Sequence, residues 1–71
     1  MITTYDRAIG SISINSYVYD GSWWVAPKNP AAISIHASTV AKLMTANHVT
    51  VNDRYLELTD EGRAYVKKNY L

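Results

Sequence analysis

Two histidines, His36 and His48, are the side chains of this 71-residue chain whose ordinary titration range makes them natural proton carriers near neutrality. An imidazole of that kind can activate a serine or bind a metal, but each use requires further groups at a fixed spacing. No serine sits in a Gly-x-Ser-x-Gly elbow or another recognised nucleophile frame. The twelve-residue separation of the histidines is not a ligand signature, and there is no cysteine or carboxylate cluster to complete a coordination sphere. With only three glycines the chain also lacks a glycine-rich phosphate loop. His36 falls at the edge of an apolar helical face and His48 at the start of a strand, places where histidine is ordinarily structural. The chain therefore reads as a non-enzyme with no metal and no cofactor, acting by binding.

Composition sets the frame in which those residues are held. Hydrophobic residues make up 48% and charged residues 18%, a globular balance, and 71 residues form a single domain spanning 1–71. A domain of this size buries only about 60% of its unfolded surface, so a partner or a second copy is the expected reinforcement, and a homo-oligomer is anticipated. Seven basic against six acidic side chains leave a formal charge of +1, well short of the basic excess of a strongly electrostatic nucleic-acid binder. The first residues, "MITTYDRAIGS", lack the apolar core of a secretory signal, and no run approaches the roughly 18 apolar residues of a membrane span. The expected address is cytoplasmic, with no membrane partner.

In "TTYDRAIGSISI" Tyr5, Ala8, Ile9 and Ile12 share a helical face while Ile12 and Ile14 alternate with serines. The reading favoured is a short helix over about Thr4 to Ile9, passing into extended chain after Gly10. "SYVYDGSWWV" is a hairpin signal in which Asp20 and Gly21 can both take the positive φ of a type I′ turn. That loop sets Val18 opposite Trp23 and Tyr17 opposite Trp24. Period two then places Val18, Trp23 and Val25 on one face and Tyr17, Tyr19 and Trp24 on the other, and one of the two faces can line the core.

After the proline-bounded loop "APKNPAA", the segment "SIHASTVAKLMTAN" predicts a helix with Ser34 as N-cap and Asn47 closing it in the left-handed region. Ala37, Val40, Ala41, Leu43 and Met44 form its apolar side, and Ser38, Thr39, Lys42 and Thr45 its wet side. "HVTVNDRYLELT" predicts a second hairpin turning near Asn52 and Asp53. Thr59 then caps a last helix with Asp60 and Glu61 in its first turn and Lys67 and Lys68 near its end, which suits the helix dipole. The fold class is α+β: two hairpins, two main helices and a short first helix.

Within "YLELTDEGRAYV" one residue runs against this pattern, because Gly62 in a helix costs about 1 kcal/mol relative to alanine. The stretch "STVAKL", a two-stranded ribbon and then "LTDEGRAYV" resembles the second half of many bacterial winged-helix proteins, where Leu-Thr-x-x-Gly-Arg follows the wing and opens the next helix. The similarity covers about residues 33–68. It implies that Gly62 permits close approach of a neighbouring backbone, so that Gly62→Ala destabilises the fold. It also departs from the family pattern, since an aromatic hairpin stands where a second helix would precede the reader helix.

The resemblance implies double-stranded DNA as a partner and a role in transcription regulation. Ser34, Ser38, Thr39 and Lys42 would occupy the start and exposed side of the reader helix, Arg54 the wing tip, and Lys28, with Lys67 and Lys68, would add phosphate contacts. The competing expectation is a protein-interaction module. The face of Tyr17, Tyr19 and Trp24 offers the amphipathic aromatics typical of interface hot spots, as in a phage or mobile-element inhibitor, anti-CRISPR proteins being one example, that binds a larger target. Burial of that same face under the last helix, or in a homodimer, is the plain alternative.

Overall fold

The computed structural model describes residues 3–70, with side chains to residue 68. In chain order the elements are α1 (Thr4–Ile14), β1 (Val18–Asp20), β2 (Trp23–Val25), β3 (Ile35–His36), α2 (Ala37–Thr45), β4 (Val49–Asn52), β5 (Tyr55–Leu58) and α3 (Asp60–Tyr70). The fold is α+β, as the sequence predicts: a five-stranded antiparallel sheet in the order β3-β2-β1-β5-β4. The helices pack on one face of it.

Helix α1 starts on a capping box. Thr3 Oγ1 accepts from the Asp6 N–H at 3.1 Å, and Asp6 Oδ2 accepts from the Thr3 N–H at 3.3 Å. The helix runs to Ile14 and does not stop at Ile9 as the sequence reading has it. Gly10 costs the helix about 1 kcal/mol, but continuing it buries Ile12, worth roughly 1.5–3 kcal/mol beside Ala8 and Ile9. Burial wins. Asn15 ends the helix in extended geometry, its side-chain amide donating to the Ser11 carbonyl at 3.0 Å.

The first hairpin turns one residue later than expected. Gly21 and Ser22 form its loop, and of the two only Gly21 has positive φ, at 66°. Val18 therefore pairs with Val25, Tyr19 with Trp24 and Asp20 with Trp23. Moving the loop by one residue shifts the pairing by two, so the residues sharing each face are unchanged. The structure decides which face meets the core: Tyr17 is 0% and Trp24 9% exposed, whereas Trp23 is 48% exposed. The two-residue strand β3 lies outside what the sequence predicts; it pairs Ile35 with Trp24 and His36 with Trp23.

That added pairing also moves the start of α2. The N-cap is His36, not Ser34: its ring Nδ1 accepts from the Ser38 N–H at 3.1 Å. Asn47 closes the helix at φ 61° as predicted, with His48 N–H donating to the Leu43 carbonyl and Asn47 N–H to that of Met44, both at 2.9 Å, a Schellman arrangement. The ribbon β4–β5 pairs Val49 with Leu58 and Val51 with Leu56; like the first hairpin it turns one residue later than the sequence predicts, at Asp53 and Arg54. Thr59 caps α3 by accepting from the Gly62 N–H at 3.0 Å.

Gly62 lies directly on the main chain of His48. A β-carbon added there would stand 1.9 Å from the His48 carbonyl oxygen and 2.9 Å from its carbon. The same carbonyl accepts from the Thr59 N–H at 3.0 Å, so it is held against the helix start. Close backbone approach accounts for the glycine.

One core unites these elements. Ala8, Ile9 and Ile12 of α1, Val40 and Leu43 of α2, and Tyr17, Trp24, Ile35, Val49 and Leu56 from the sheet side are buried together. The Tyr17 hydroxyl donates to the Ile33 carbonyl at 2.7 Å and accepts from Ser11 Oγ, so tyrosine is buried at no polar cost.

Candidate functional site

Three surfaces carry the polar and aromatic side chains from which a site could be built. The first is the exposed side of α2 with the ribbon turn. Val40 and Leu43 alone are buried on this helix; Ala41 is exposed and Met44 is 38% exposed, which corrects the broader apolar side read from the sequence. Ser38, Lys42 and Thr45 are exposed and Thr39 is half-buried. The Ser38 hydroxyl also bonds His36 Nδ1, at 2.8 Å, and since that nitrogen already accepts from the Ser38 N–H, the hydroxyl is the donor. Its lone pairs stay open to an outside donor. Thr45 Oγ1 donates to the Ala41 carbonyl at 2.9 Å.

Ser34 is exposed in the loop ahead of β3, Lys28 is exposed in the same connection, and Arg54 is exposed at the ribbon turn. Among the described residues none of Lys28, Lys42 and Arg54 is in an ion pair, whereas Arg63 pairs with Asp60 at 3.1 Å across one turn of α3.

The second surface is a cluster that sequence reading missed, because its members come from three distant elements. The Tyr5 hydroxyl bonds His48 Nδ1, the Tyr65 ring stacks obliquely on His48 at 4.6 Å, and Tyr5 meets Tyr65 edge-on at 5.8 Å. The Tyr65 hydroxyl donates to Asp6 Oδ1. That bond, followed by the one from the Thr3 N–H, lowers the Asp6 pKa. Burial, followed by the negative charge of Asp6, raises that of Tyr5. These contacts make the cluster a clasp joining α1, α3 and the start of β4. Among the described residues no three His, Cys, Asp or Glu side chains converge to hold a metal.

The third surface is the outer face of the sheet, away from the helices. It corrects the interaction face expected from Tyr17, Tyr19 and Trp24. Tyr17 is enclosed and Trp24 nearly so, and of the three only Tyr19, at 57%, is exposed, its ring 5.3 Å from that of Trp24. The bare side instead presents Trp23, His36, Asp20, Tyr55 and Glu57, with Val18 and Val25 half-buried between them. Trp23 and His36 meet at 5.0 Å and 87°. One signal for this orientation was present in the sequence: Asp20 shares the period-two face of Val18, and a carboxylate marks the wet side of a strand.

Among the described residues no helix is long and apolar enough to cross a membrane. Set against known proteins, the chain matches no family model, no curated protein and no solved structure.

Proposed function

We propose that the chain is a non-enzymatic binding protein that reads duplex DNA through α2 and the β4–β5 ribbon, as a small cytoplasmic regulator of winged-helix type. The observation that supports this reading is the set of exposed cations, Lys42 on α2, Arg54 at the ribbon turn and Lys28 in the preceding loop, none neutralised by a carboxylate among the described residues. Ser34 and Ser38 add hydroxyls at the start of the same helix, suited to phosphate oxygens and base edges. Where the proteins it resembles place a further helix before the reader, this chain has β1, β2 and a loop, so phosphate contact falls to Lys28 and the α2 start.

Three phosphate-neutralising cations give a modest affinity whose logarithm falls with the logarithm of salt at a slope of roughly −3. Titration of mixed-sequence duplex at low and moderate salt tests this. The double variant K42A/R54A is expected to flatten the slope to about −1 and lose most of the binding. Absence of DNA binding at low salt, or binding indifferent to salt, would overturn the reading.

A further inference from the structure

The outer face of the sheet has a charge pattern opposite to that of the proposed DNA surface. All seven lysines and arginines lie off its strands: Arg7 on α1, Lys28 in a loop, Lys42 on α2, Arg54 in a turn, and Arg63, Lys67 and Lys68 on α3. The charged side chains that the strands project outward are Asp20 and Glu57. Pairing sets Asp20 opposite the Trp23 aromatic ring, whereas Glu57 stands opposite Thr50. His36, Trp23 and Asp20 form one row; Val25, Val18, Tyr55 and Asn52 form the next. Side chains directly opposite in such rows stand about 5 Å apart.

Asp20 and Trp23 together border an open hollow completed by Val25 and Ser34. The indole is 48% exposed, with the His36 ring set edge-on against it. Asp20 is in no ion pair among the described residues. Glu57, by contrast, already accepts from Asn52 Nδ2 at 3.2 Å. An exposed indole beside an uncommitted carboxylate, on strands that carry no lysine or arginine, suits a guanidinium or ammonium group: the ring face attracts the cation and the carboxylate supplies the counter-charge. A polyanion is repelled from the same place.

We infer that this face binds a basic, extended segment of a partner protein, seating one of its arginine or lysine side chains between the Trp23 indole and the Asp20 carboxylate. Val18, Val25 and Tyr55 supply the apolar floor beside that subsite. The hollow shares Ser34 with the proposed DNA surface, but Trp23 and Asp20 belong to the sheet face alone, so the peptide titration tests this subsite whatever the outcome of the DNA titration.

The test is a titration of the full, nitrogen-15-labelled chain with a blocked peptide of alternating glycine and arginine, and with its glutamate counterpart, followed by the two indole N–H signals. The Trp23 signal is expected to move with the arginine peptide alone while that of Trp24 stays in place. Asp20→Asn should weaken binding by about two- to fivefold, the worth of one exposed ionic contact. Trp23→Ala should abolish it in a chain whose remaining spectrum keeps its dispersion. Asp53→Asn, removing an exposed carboxylate at the ribbon turn, should leave it unchanged. The inference is overturned by a still Trp23 signal, by an equal response to the glutamate peptide, or by D20N and D53N behaving alike. It is overturned too if Trp23→Ala abolishes self-association while the arginine peptide has no effect, which assigns the face to a second copy.

Discussion

The two halves of this domain use glycine differently, and the difference explains why one half is far easier to read than the other. In the carboxy-terminal half, Gly62 is required by an approach so close that a β-carbon would sit 1.9 Å from the His48 carbonyl oxygen. In the amino-terminal half, Gly10 lies within α1 and the helix runs through it, since Ile12 beyond it is buried. A glycine that spares a clash is fixed by its neighbours in space. A glycine that merely tolerates a helix says nothing about where the helix ends.

Gly62→Ala should cost the fold most. Alanine is the better helix former by about 1 kcal/mol, yet accommodating its methyl group requires a main-chain shift, with a net loss of roughly 2 kcal/mol or more. In a domain of this size the melting midpoint should fall by about 10 °C. A variant melting at or above the parent would remove the close-packing account of the carboxy-terminal half. At Gly10 the comparison is sharpened from the other side: Gly10→Ala, inside a helix with no left-handed residue, should raise stability by a few tenths to about 1 kcal/mol. Opposite signs from the same substitution at two helical glycines are the expected outcome, measured by denaturant titration of both.

The halves differ in legibility according to how local their determinants are. Asn47 at φ 61°, Thr59 as a cap and the alternation of Val49, Val51, Leu56 and Leu58 are local chemistry, written within a few residues, and each is where the sequence places it. The first hairpin depends on tertiary choices. Both of its faces are rich in large apolar side chains, so period two alone could sort residues into faces without saying which face the helices cover. The core chose Tyr17 and Trp24, with Tyr17 admitted because Ser11 and Ile33 satisfy its hydroxyl from two other segments. Strand β3 has only two residues and exists because β2 offers it an edge, and its pairing carries the α2 cap from Ser34 to His36. For the candidate site, the exposed cations of α2 and the ribbon turn were legible, while Trp23, Asp20 and the Tyr5–His48–Tyr65 clasp required the fold.

The clasp gives the domain a modest pH dependence of definite sign. The Tyr65 hydroxyl and the Thr3 N–H favour ionised Asp6, so its folded pKa lies below its unfolded one. Such a group contributes stability above the ordinary carboxylate range and loses it as the pH falls through the lowered folded value. Melting curves taken from neutrality downward should show the parent losing stability over that window and Asp6→Asn losing less. Parallel curves would deny the clasp any role in joining the halves.

The claim beneath both the corrected hairpin and the inferred peptide surface is that the adjacent tryptophans lie on opposite sides of the sheet. Adding a soluble paramagnetic agent to the unmodified chain measures this directly through the two indole signals, with Trp23→Phe used only to assign them. The Trp23 signal should broaden strongly while that of Trp24 is nearly untouched; equal broadening, or the reverse order, would refute the opposed placement of the two rings.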